Sequence, residues 1–167
     1  MNIGEWIIDR VTRREPDFVI GKPGSDYLRR WYVIPRNRFF NIYLHEVLRD
    51  DDDHALHDHP WVNCSIVLRG GYYEVTPRGR FWRTPGSVTF RRATAAHRLE
   101  LSRASKICRM PDGTVRWVYG KSRGCWSLFL TGPKIRTWGF HCPKGFVPWF
   151  DFVAKDNAGE VGPGCGE

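Results

Sequence analysis

Turn signals recur about every 8–12 residues along this 167-residue chain, and short runs of β-formers lie between them. That rhythm leaves room for many short strands and little room for long helices. Runs rich in Val, Ile, Tyr, Phe, Trp and Thr predict strands at 27–34, 39–48, 63–68, 72–75, 80–83, 87–90, 98–101, 116–119 and 125–131. Arg69-Gly70-Gly71, Pro77 to Gly79, Pro85-Gly86 and Pro111-Asp112-Gly113 supply the turns between several of them. So many short antiparallel strands point to a sandwich or barrel. One helix is expected, over 1–14, where Ile3, Trp6, Ile7 and Val11 recur at three- and four-residue steps and would cap one end of the core. The domain reading is a helix and linker over 1–24, an all-β domain over 25–153 and a flexible, polar tail over 154–167. The aromatic stretch 137–150 reads as irregular, either closing one end of the fold as a pocket wall or plugging the core.

One stretch carries chemistry: His54-Ala-Leu-His57-Asp58-His59-Pro60-Trp61. Side chains two apart on a strand share a face, which puts His57 and His59 side by side with Cα atoms about 6.5–7 Å apart. Two imidazoles so placed can converge on one metal ion, at about 2.0–2.1 Å each for zinc. A third ligand must come from elsewhere, and His97 is the candidate. Ordinary loop histidines are the competing explanation. His54 would face away from His57, as a surface or supporting group. Asp58 also faces away from the metal and reads as a solvent-exposed turn residue. The run Asp50 to Asp53 lacks the spaced acidic pattern and glycine of a calcium loop, so it reads as a solvated turn.

Net charge is +8 and the estimated pI is about 9.5, yet no block of five or six like charges appears. Nucleic acid is not expected as a partner; a small polar, anionic molecule is. No apolar run approaches the roughly 18–20 residues of a membrane span, and the N-terminus lacks the order of a secretory signal. A cytoplasmic protein without membrane contact is the expectation. The five cysteines include no Cys-x-x-Cys pair and read as reduced thiols.

Over roughly residues 39–131 the pattern resembles the cupin superfamily, small jelly-roll β-barrels. Their first motif is His-x-His followed by a ligand position and a glycine. Here His57-Asp58-His59 is followed by Asn63 and Gly70, or by Cys64 and Gly71. Their second motif, a Pro-Gly turn, a strand and a histidine, matches Pro85-Gly86 through His97. The resemblance implies a single jelly-roll barrel holding one divalent transition metal on His57, His59 and His97. No glutamate stands at the usual fourth-ligand position, and three-histidine cupins include the thiol dioxygenases. Iron(II) is therefore favoured, while zinc, nickel, manganese and copper also suit such a site. Cupins often pair through strand edges, so a homodimer is a further expectation.

Local likeness to cysteine dioxygenase includes the His-x-His, a Gly–aromatic–Glu hairpin and Trp126 to Leu130. That family's later Ser-x-His-x-Tyr is replaced, with Phe129 and Thr131 at the His and Tyr places. The cross-linking cysteine of that family falls on Cys64 or on Asn63, depending on the direction of counting. The expected substrate-binding residues are Asn63, Arg38, Tyr43, Tyr73 and Trp82. Arg36, Arg69 and Arg83 are further candidates for an anion, and Glu74 reads either as a group bonded to the barrel wall or as an acid/base. Three functions fit: a non-haem iron oxygenase (a dioxygenase acting on a small polar molecule), a non-catalytic small-molecule or nucleotide-binding cupin, or an isomerase/epimerase of sugar-nucleotide type.

Overall fold

The structure, a computed structural model, describes residues 2–22, 24–51, 55–101, 103–122, 124–155 and 161–166. His54 and two of the four consecutive aspartates lie outside the described residues. Strands β1 (Phe18–Lys22), β2 (Ser25–Tyr32), β3 (Asn41–Val47), β4 (Leu56–His57), β5 (Asn63–Arg69), β6 (Tyr72–Thr76) and β7 (Gly79–Arg83) occupy the first half. They are followed by β8 (Val88–Arg91), β9 (Arg98–Leu101), β10 (Arg103–Arg109), β11 (Val115–Ser122), β12 (Cys125–Thr131), β13 (Gly139–Cys142) and β14 (Gly145–Pro148). Helix α1 (Ile3–Val11) precedes them and the single turn α2 (Trp149–Phe152) follows.

The main sheet has the order β1-β2-β3-β12-β5-β8, all antiparallel. A three-stranded sheet β7-β6-β9 and another, β14-β13-β4, supply residues to the opposite side of a shared cavity. The main sheet ends at β1 and β8, so the arrangement is a sandwich of antiparallel sheets and not a barrel closed by continuous hydrogen bonding. A single bridge between His57 and His97 ties the β4 sheet to the segment entering β9.

Alternation sorts the main sheet into two faces. Inward, Leu28, Val47, Val67 and Cys125 form an apolar cluster with Tyr72 and Leu101. Outward, Trp31, Leu44 and Trp126 pack under Ile8 of α1. Helix α1 therefore covers the outer face of the sheet and does not cap an end. Its buried stripe is Gly4 and Ile8, whereas Ile3 and Trp6 are exposed. Gly4 is the reason: a Cβ there would press on the Leu68 carbonyl oxygen, so the helix approaches β5 through its glycine. Gly70, at φ +77°, makes the β5–β6 turn, and a Cβ there would run into the Gly124 carbonyl oxygen.

Four expectations change. Residues 18–22, read as linker, form β1 and pair with β2. The aromatic stretch after residue 137 is not irregular: β13 and β14 form a hairpin, with Phe140 stacked on Phe152 at 3.6 Å. The tail is anchored where it is described. Gly162 and Gly164 donate their N–H groups to the Phe152 carbonyl, Val161 bridges Val153, and Cys165 forms a disulfide with Cys142. Reduced cysteines were expected because a pairing 23 residues apart leaves no local spacing signal. Cys64, Cys108 and Cys125 are free thiols.

Candidate metal centre

Backbone pairing builds the site. The N–H of His57 donates to the His97 carbonyl and the N–H of His97 to the His57 carbonyl, both at 2.9 Å. This two-way bridge sets the two rings 4.9 Å apart between centroids. His59 lies two residues beyond His57, just past the end of β4, with its N–H donated to the Ala93 carbonyl at 3.1 Å. One ring nitrogen from each of the three histidines lies within 4.8 Å of the others. Nε2 of His59 and Nε2 of His97 are 2.9 Å apart. Two ligands held about 2.1 Å from one ion at a right angle would stand about 3.0 Å apart, so this pair already has the separation of adjacent ligands. Neutral imidazoles are the donors that a divalent transition metal takes.

Buried carboxylates stand behind two of the rings. Nδ1 of His97 is 3.2 Å from Oε1 of Glu74, and Nδ1 of His57 is 3.6 Å from Oδ2 of Asp51. A carboxylate beside Nδ1 favours the proton there and leaves the Nε2 lone pair for an ion. Glu74 is almost fully buried and also pairs with Arg91 at 2.5 Å and with Arg83 at 2.7 Å. Burial alone would raise its carboxyl, but His97 and Arg91 hold it well below the usual carboxylate range. Glu74 is thus bonded into the wall of the site and ionised. Asp51 accepts from the Tyr27 hydroxyl and from the Leu99 N–H, and Asp50 accepts from the Leu101 N–H. These two aspartates are fixed acceptors, not a solvated turn. Asp58 faces away from the metal centre, as alternation requires, but it is buried. It accepts from the Gly139 N–H at 3.0 Å, pairs with Arg136 at 2.6 Å and lies 3.1 Å from Nε2 of His141. The segment around 136–141 covers it, which the local spacing around His57 did not reveal.

The histidines open onto a cavity of about 580 Å³ whose lining includes Trp138, Phe140, Phe129, Ser65, Arg30 and His45. That volume falls in the usual range for small-molecule sites. Burial pushes His59 well below its ordinary value, reinforced by His97 and His57. Burial likewise brings His97 down to about 4, with Glu74 opposing and His57 and Arg91 adding to the fall. A folded-state value below the unfolded value of about 6.5 contributes stability that is complete above about 6.5. That stability is lost as pH falls through about 4. Chelator-treated protein should therefore lose about 3 kcal/mol of unfolding free energy from His97 between these limits. Urea titrations at pH 7, 5.5 and 4.5 check this, and a flat profile would contradict it.

The other site candidates fall elsewhere. None of Asn63, Arg38, Tyr43, Tyr73 and Trp82 is part of the cavity lining. Asn63 is buried, with its side-chain oxygen 3.4 Å from Arg91. Tyr43 is buried under Arg30, while Tyr73 and Trp82 pack against each other on the β6–β7 hairpin. Arg38 lies on an exposed loop over Phe39. Arg69 is paired with Glu5 and Arg83 with Glu74, so neither offers a free fork to an anion. Arg30 and Arg91, which line the cavity, were hidden among many arginines. Inward alternation on β2, in register with His45 on β3, is the signal that would have found Arg30. The cysteine dioxygenase likeness ends here: Phe129 packs between His45 and His59, and residue 131 is a buried threonine. Cys64 lies on β5 next to Ser65, which lines the cavity, while Cys64 does not.

No protein-family model and no curated protein matches the sequence. Among solved structures, the chain is similar to an RmlC-like cupin protein from Ralstonia eutropha JMP134, with 14% identity and a TM-score of 0.48 over 78% of this chain and 68% of that one. It is also similar to a DMSP lyase from Ruegeria pomeroyi DSS-3, with 12% identity and a TM-score of 0.48 over 85% of this chain and 62% of that one. A polyketide cyclase from Streptomyces resistomycificus gives 19% identity and a TM-score of 0.46 over 72% of this chain and 78% of that one. Among the described residues no helix is long and apolar enough to cross a membrane.

Proposed function

We propose that this chain is a mononuclear metal protein of the cupin, jelly-roll type, and that it works as a non-haem iron dioxygenase on a small polar molecule. The observation that supports the reading is the convergence of His57, His59 and His97 at the wall of a ligand-sized cavity, with Glu74 and Asp51 behind two of the rings. An iron(II) ion held by His57, His59 and His97 would supply redox capacity for a reaction with O2 in which both oxygen atoms end in the substrate, so that no external reductant would be needed. The chain's own contributions are distinct. His57, His59 and His97 present neutral nitrogen donors. Glu74 and Asp51 fix ring orientation. Phe129, Trp138 and Phe140 line the cavity near the donors and keep bulk water from them.

A second reading, a metal-free binding module, draws on the same 2.9 Å separation, because two neutral imidazoles also hydrogen-bond at that distance. An isomerase or epimerase needs a free base in the cavity. His45 is the candidate outside the triad, but its Nε2 accepts from Arg30 at 2.8 Å, and burial pushes it well below its ordinary value. That reading gains no support.

Metal analysis of protein purified without added metal separates the first two. About one iron per chain, lost in His57→Ala, is expected, with oxygen uptake dependent on added substrate. Metal-free protein that cannot be loaded, or equal loading of His57→Ala, would leave the binding module standing.

A further inference from the structure

Arg30 is a cation on the cavity wall. Its Nε donates to Nε2 of His45 at 2.8 Å, and its guanidinium lies over the rings of Tyr43, at 4.8 Å, and Phe18, at 5.9 Å. Among the described residues no carboxylate pairs with it. The other guanidinium on the lining, Arg91, is committed to Glu74. A guanidinium held by a neutral ring nitrogen and aromatic faces is costly to keep away from water unless an anion joins it. Burial lowers its proton affinity, with Tyr43 and Tyr32 opposing and nearby Arg36 adding to the fall.

We propose that Arg30 is the recognition group for a carboxylate, and that the cavity's ligand is an organic monocarboxylate whose apolar body lies between Arg30 and the three histidines. The inference deepens the reading of the same cavity as a substrate site. With Nε spent on His45, the guanidinium keeps its edge of two terminal nitrogens, which matches one planar carboxylate through two parallel hydrogen bonds. A phosphate dianion would bring two charges to one unmatched cation. Leu28, Val47, Phe129, Trp138 and Phe140 line the remaining wall and suit a hydrocarbon body. Phe129 packs against both His45 and His59, at 5.1 and 5.5 Å between centroids, so one phenyl ring separates the anion end from the metal end.

The test compares hexanoate with hexanamide, an uncharged analogue of similar size. Binding is followed by calorimetry on metal-loaded and chelator-treated wild type and on Arg30→Met. Hexanoate should bind at least about tenfold tighter than hexanamide in both wild-type forms. In Arg30→Met the preference should fall below about twofold while hexanamide binding stays unchanged. Arg30→Lys, which keeps the charge and loses the fork, should fall between, and it serves as the working variant if Arg30→Met does not fold. No preference in wild type, no hexanoate binding, or a preference that survives Arg30→Met overturns the assignment. A preference that disappears on chelation and survives Arg30→Met means that the ion holds the carboxylate; the metal centre then stands and the Arg30 site falls. An Arg30-dependent preference in protein that takes up no metal supports the anion site and removes the metal reading.

Discussion

Glu74→Leu should lower the unfolding free energy of the metal-free protein by about 3–5 kcal/mol. The carboxylate is 2% exposed and is shared by Arg91, Arg83 and His97. Removing it leaves the Arg91 guanidinium, 5% exposed, without its counter-charge in the interior. The penalty comes mainly from that stranded charge, because Arg83 reaches solvent and can rehydrate. The double variant Glu74→Leu/Arg91→Leu should accordingly recover much of the loss. Urea denaturation of the two variants and of wild type checks both statements. A single-variant loss under about 1 kcal/mol would mean that the buried network does not hold the site. The same substitution frees the His97 ring to rotate, so metal affinity should drop by about 10–100-fold.

The grouping of the three histidines was legible in the chain because extended backbone keeps a period near two even past the end of β4 at His57. His57 and His59 had to share a side, and a histidine after a Pro-Gly turn and a strand was placed to return to them. What supports the rings was less visible. Glu74 reaches His97 from the neighbouring strand β6, and Arg91 reaches Glu74 from β8; such contacts depend on sheet order, which local spacing does not encode. Asp58 shows the limit of alternation as a guide. The direction of its side chain followed from position, but its burial was set by a segment about eighty residues later that pairs with β4. The misjudged stripe on α1 has a similar cause. Of the expected stripe only Val11 packs against the cluster; Ile3 and Trp6 are exposed, because the sheet accepts the side carrying Gly4, whose close approach to β5 buries Ile8 against Trp31 and Trp126. Arg30 was missed for a statistical reason: with many arginines in the chain, only cross-strand register shows that it is aimed at the cavity.

Loading the centre should stabilise the fold by about as much as the buried Glu74 network does. An ion that binds only the folded chain, present at about a thousand times its dissociation constant, raises the unfolding free energy by about 4 kcal/mol. The physical cause is the separation of the donors in sequence: His57 and His59 lie near β4, whereas His97 lies at the entry to β9, so an unfolded chain cannot present all three together. The bridge between the His57 and His97 backbones prepares the site before the ion arrives, which is why the metal-free chain should still fold. Thermal melts with iron(II) under anaerobic conditions, and with zinc as a redox-inert control, should shift upward in wild type and return on addition of chelator. In His97→Ala the shift should disappear, because two donors two residues apart remain and they belong to one local segment. Persistence of the full shift in His97→Ala would place the ion elsewhere in the molecule and remove the three-histidine centre as its seat.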